Sequence, residues 1–187
     1  MSYAAQVAGW HDFFIAVAAA AATLVGLLFV GLSLHLRVVV TRQDVRALAR
    51  ATLATFGLLL IASICLLTPE TQPNVHGSEL VAFAGFNAVL VLRLAVVNAL
   101  RRSEHHARRV ISVRLTVLRY GLLAVTYALV GASGVLLLTS NIAGGLELMV
   151  PASAIGLSVS LRNTWDLLVT VGASQNSSVE ADSLRRS

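Results

Sequence analysis

The chain has 187 residues, of which 57% are hydrophobic and only 12% charged, and its mean hydropathy is +0.80. A soluble domain carries about 25% charged residues, so this composition excludes an ordinary water-soluble fold and points to helical membrane spans. All fourteen basic residues are arginine and the formal net charge is +5. In a membrane chain such an excess belongs to the loops that set orientation, and no nucleic-acid partner is expected.

Apolar runs long enough to cross a bilayer recur along the whole sequence. The N-terminal stretch MSYAAQVAGWHDFF has no positive n-region, so the first run reads as a retained span, over about 13–36, rather than a signal peptide. An arginine-bearing segment, RVVVTRQDVRALAR, follows it. Span 2 is expected over about 51–68, stopped by Pro69. The turn-rich PETQPNVHGS reads as a loop. Span 3 follows over about 80–100 with Arg93 inside it, then the loop RRSEHHARR. Span 4 has its apolar core over about 120–139, and SNIAGG reads as the next turn. Span 5 is expected over about 148–171, with Pro151 in its first turn. Residues 1–172 thus form one transmembrane domain, and the polar stretch 173–187 reads as a disordered cytoplasmic tail. The fold class is all-α: a polytopic membrane helix bundle of five transmembrane helices.

Arginines alternate between the connecting segments. Segments 37–50 and 101–119 and the tail carry them, whereas the N-terminus and segments 69–79 and 140–147 carry none and hold Asp12, Glu70, Glu79 and Glu147. The positive-inside rule then predicts an N-out, C-in protein of the cell membrane. Trp10 falls at the predicted outer boundary and Tyr120 and Trp165 at the inner one, where interfacial aromatics sit. Arg101, Arg102, Arg108 and Arg109 form a basic cluster suited to anionic lipid headgroups.

Small residues form stripes. Ala18, Ala22 and Gly26 lie four apart, as do Ala124, Ala128 and Ala132, and such faces let helices approach closely within or between protomers. In span 5, Ser153, Gly156, Ser160 and Asn163 follow i, i+3, i+7, i+10 spacing and share one face that is small and polar over most of its length. That face suits either helix packing or the lining of a hydrated path. Arg93 is an intramembrane charge. Asp166, near the inner edge of span 5, is its expected partner, with Arg162 competing at i, i+4 from Asp166.

Catalytic signals are thin. Gly131–Gly134, GASG, resembles the nucleophile tetrapeptide of rhomboid intramembrane proteases over four residues only. A serine nucleophile needs a base, and span 5 contains no histidine, so Ser133 reads as a packing residue. His11, His76 and the acidic residues have no tight metal-ligand spacing. His35 reads as an interfacial hydrogen-bonder, and His105 and His106 lie in the arginine-rich loop. Cys65 is the single cysteine, so no intrachain disulfide forms. No enzyme, cofactor or metal is expected. The functional expectation is a homo-oligomeric channel or pore for ions or small solutes, with the span 5 stripe nearest the axis. The alternative is a non-catalytic accessory or scaffolding subunit of a larger membrane complex.

Overall fold

The computed structural model describes residues 2–33, 43–69, 72–103 and 110–186, and no strand occurs among them. The helices are α1 (Tyr3–Ala8), α2 (His11–Ser33), α3 (Gln43–Leu67), α4 (Pro73–Ser103), α5 (Val110–Leu138) and α6 (Ile142–Arg186). Five of them contain stretches long and apolar enough to cross a membrane: His11–Ser33, Arg46–Leu67, Pro73–Leu94, Tyr120–Leu138 and Ile142–Val169. The chain is therefore an all-helical protein of multi-pass membrane type.

Local chemistry sets the helix ends and corrects two expected boundaries. Helix α1 starts at Ser2, whose Oγ accepts from the Ala5 N–H at 3.3 Å. Pro73 is the first residue of α4, where its missing N–H costs no hydrogen bond. The segment read as a long loop is thus already helix from Pro73, and His76 and Glu79 sit on the span. Helix α5 ends in a Schellman turn: the Asn141 N–H reaches the Leu136 carbonyl at 2.9 Å and the Ser140 N–H reaches Leu137 at 3.1 Å. Ser140 takes the left-handed conformation this requires, with φ 63. Asn141 then caps α6, its Oδ1 accepting from the Gly144 N–H at 3.2 Å. With that cap, Gly144 and Gly145 belong to the first turn, and Pro151 lies inside the helix rather than in its first turn.

Span 5 accordingly begins at Ile142, not near Leu148. Helix α6 also runs on to Arg186, through the stretch expected to be a disordered tail. No glycine or proline follows Gly172 to stop it.

The packing makes a closed ring of four helices. Helix α3 lies against α4, α4 against α5, α5 against α6, and α6 against α3. Helix α2 lies outside the ring, against α3 and α6, and α1 reaches α6 across one end of the bundle. We call that the Tyr3 end; the opposite end holds Arg46 and Arg50. In lipid there is no hydrophobic drive between helices, so close packing must hold them. The face α2 buries is Phe14, Val17, Ala21 and Leu28, not the Ala18–Ala22–Gly26 stripe, of which Ala22 and Gly26 are exposed. Helices α4 and α5 meet through bare backbone: a Cβ on Gly77 would stand 2.8 Å from the Gly134 carbonyl oxygen, and one on Gly134 would stand 2.7 Å from that of Gly77.

Candidate functional site: a polar seam inside the bundle

The interface between α3 and α6 is polar along most of its length. At its centre is Gly156, where an added Cβ would stand 2.9 Å from Leu59 Cδ1 and 2.8 Å from Thr126 Cγ2. Three helices therefore converge where only a hydrogen fits. That contact also sets the register. Both helices rise about 1.5 Å per residue, and they run antiparallel. Ser160 thus falls level with Thr55 and Asn163 with Thr52, and Ser153 falls within one residue of Ser63. All six of these residues are buried.

Only part of this seam is internally satisfied. The Thr55 hydroxyl donates to the Ala51 carbonyl at 3.0 Å and meets the Tyr127 hydroxyl at 2.6 Å. Thr126 and Thr164 bond back to the carbonyls one turn earlier, at 3.2 and 2.9 Å. By contrast, the side-chain oxygens of Thr52, Ser63, Ser153 and Ser160, and both amide atoms of Asn163, have no hydrogen-bond partner among the described residues. Asn163 is 0% exposed. A buried polar atom left unpaired costs about 1–3 kcal/mol, so this row of orphans is the least explained feature of the interior if it serves packing alone. Among the described residues no Arg, Asp or Glu is fully buried, although the Oε2 atom of half-buried Glu79 is buried without a hydrogen-bond partner.

Apolar layers close the seam at both ends. Toward the Arg50 end, Leu28, Ala49 and Leu167 form a separate buried cluster one turn beyond Asn163 and Thr52. Toward the Tyr3 end, Leu66, Leu146 and Met149 are fully buried.

The stripe Ser153, Gly156, Ser160 and Asn163 is therefore one face, as its spacing predicts. That face looks into the bundle, toward α3 and α5, and is buried there. The sequence reading missed its counterpart on α3. Thr52, Thr55, Leu59 and Ser63 carry the matching i, i+3, i+7, i+11 spacing, a signal that was available.

The other candidates fall elsewhere. Arg93 is exposed on α4, which packs on α3 and α5, whereas Asp166 is half-buried on α6. The structure records no contact between them among the described residues. Arg162 is exposed. Arg101 and Arg102 lie near the end of α4, and Arg108, Arg109, His35, His105 and His106 lie outside the described residues. Ser133 is buried and donates to the Gly145 carbonyl at 2.6 Å, joining α5 to α6. Ala124, Ala128 and Ala132 are exposed, and the first two line an apolar groove of about 460 Å³ between α4 and α5. No group of three or more His, Cys, Asp or Glu placed to hold a metal occurs among the described residues.

A second polar group lies at the Tyr3 end. His76, 1% exposed, is held by the Tyr3 hydroxyl at Nδ1 and by Thr68 Oγ1 at Nε2, at 2.5 and 3.0 Å. Glu79 and Cys65 lie beside one another nearby. Comparison with protein-family models, with curated proteins and with solved structures gave no match to this chain.

Proposed function

We propose that this chain is a membrane transport protein of channel type, resident in the cell membrane with its N-terminus outside, whose path follows the α3–α5–α6 seam. One observation carries the reading: a register-matched row of buried hydroxyls and an amide, most of them without partners, runs through an interface that lipid would otherwise favour as apolar. Hydroxyls and amides can replace the hydration of a passing solute. The apolar layers at both ends make the present conformation a closed one, and opening requires α6 to move against α3. In this reading the path lies inside each protomer, and association of protomers is a separate matter. The test is flux through the purified protein in liposomes. Transport that Ser160→Ala or Asn163→Leu diminishes supports the proposal; no flux of any ion or small solute, from folded protein over a range of pH and voltage, rejects it.

A second reading, an accessory or scaffolding subunit, draws on the α4–α5 groove, an apolar, small-residue face open to a neighbouring helix. Purification in mild detergent separates the two. A foreign partner in fixed stoichiometry favours the accessory role, and a single species or a ring of identical chains favours transport.

A further inference from the structure

We infer that Asn163, Thr52 and Ser160 form a buried binding site for one small uncharged hydrogen-bonding molecule of the water or urea class. The inference rests on the transport reading and adds the class of substrate.

Three facts select that class. First, both ends of the Asn163 carboxamide are free: its Oδ1 accepts nothing and its Nδ2 donates nothing among the described residues. A cation would satisfy only the oxygen and leave the N–H groups facing it. An anion would satisfy only the N–H groups. A molecule that both donates and accepts satisfies the two together. Second, the groups level with it have the same double character. Thr52 stands opposite on α3 and Ser160 lies one turn along α6, and each hydroxyl can donate one hydrogen bond and accept others. Third, no Arg, Asp or Glu residue is fully buried among the described residues; Asp166 is half-buried one turn along α6, and Glu79, whose Oε2 is buried, lies at the Tyr3 end. An ion at this depth would lose its hydration without a fully buried counter-charge at the site, whereas a neutral solute carries no such penalty.

The site also has a floor. Leu28, Ala49 and Leu167 lie one turn beyond it toward the Arg50 end and offer no hydrogen bond. A solute held at Asn163 must pass that layer to leave, so the layer is the barrier and the amide is the binding step.

The experiment uses the full chain in liposomes, with water, urea, K⁺ and Cl⁻ as separate probes. Wild-type protein should raise urea or water permeability above that of empty vesicles and leave K⁺ and Cl⁻ flux at background. Asn163→Leu, similar in size and apolar, should lower that permeability about tenfold, the loss of roughly one net hydrogen bond. Thr52→Val reports on the same site from the other helix should the first variant fail to fold. K⁺ or Cl⁻ flux without urea or water flux would overturn the inference and leave the transport reading standing. Flux of none of the four, from protein that remains helical and monodisperse, would overturn both. Neutral-solute flux unchanged in both variants would place the path elsewhere and remove this site.

Discussion

The Tyr3 hydroxyl is hydrogen-bonded to Nδ1 of His76, a residue 73 positions later in the chain. Thr68 gives its proton to the Cys65 carbonyl at 2.6 Å, so at His76 it can only accept, from Nε2–H. This chain of bonds ties the short helix α1 to the end of α3 and the start of α4.

Tyr3→Phe removes the hydroxyl but keeps the ring that packs on His76 at a centroid distance of 5.7 Å. The expected loss is about 1–3 kcal/mol, the cost of removing one partner of a buried pair. Thermal unfolding of the detergent-solubilised protein measures it. Increased proteolysis near α1 should accompany the loss, since this bond joins α1 to α4.

The α4–α5 crossing depends on two glycines that face each other's carbonyls. Gly134→Ala and Gly77→Ala should each cost about 1–3 kcal/mol, because the intruding methyl meets backbone that has to move. Gly26→Ala and Gly85→Ala are the matched controls. Neither added Cβ would have a neighbour within 4 Å. Both should be neutral or stabilising, since alanine suits a helix interior better by roughly 0.5–1 kcal/mol. Unfolding midpoints of the four variants compare these effects directly.

Much of this architecture is legible in the sequence. The five spans are visible because each must present about 20 apolar residues to the bilayer. Their boundaries were harder to read, for a physical reason at each point. Pro73 looks like a loop residue and is a helix start. Gly144 and Gly145 look like a turn, yet the Asn141 cap draws them into α6. The span 5 stripe was legible from its spacing alone. What it faces was not, because spacing assigns residues to a side of a helix and leaves the neighbour undetermined. Only the meeting of Gly156 with Leu59 and Thr126 fixes the partners.

Ser140 occupies a left-handed position at φ 63 that glycine adopts without steric cost. Ser140→Gly should therefore stabilise the α5–α6 turn by up to about 1 kcal/mol, with the relief of strain partly offset by the freer unfolded chain. Ser140→Val should destabilise it, since a β-branched side chain tolerates that conformation worse still. Opposite shifts of the unfolding midpoint for the two variants are the expected result.

Thr55 and Tyr127 join α3 to α5 through a 2.6 Å hydroxyl pair across the ring. A double-mutant cycle with Thr55→Val and Tyr127→Phe should yield a coupling of about 0.6–1.7 kcal/mol, the range of interhelical hydrogen bonds in membrane bundles. Each single variant leaves one buried hydroxyl to find another partner, and the double variant leaves none. The double variant should consequently be more stable than the sum of the single losses implies. A coupling near zero would mean that the Thr55 bond to the Ala51 carbonyl alone satisfies this hydroxyl.

The layer formed by Leu28, Ala49 and Leu167 lets permeation and stability be separated. Leu167 is 2% exposed and lies one turn from Asn163, so shortening it removes the apolar contact that blocks the seam without touching the polar groups within it. Leu167→Ala is expected to destabilise the bundle by about 2–5 kcal/mol through the cavity it leaves. It is also expected to raise solute flux in liposomes, because a hydrophobic constriction gates by staying dry and widens when its side chains shrink. Loss of stability with a gain of flux is the signature of a gate. Loss of both would assign Leu167 to packing alone. Leu146→Ala gives the same comparison at the Tyr3 end, where Leu66, Leu146 and Met149 form the opposite seal. If both ends respond, the barrier is shared between two layers with the polar seam enclosed between them, and each opening is a separate movement of α6 against α3.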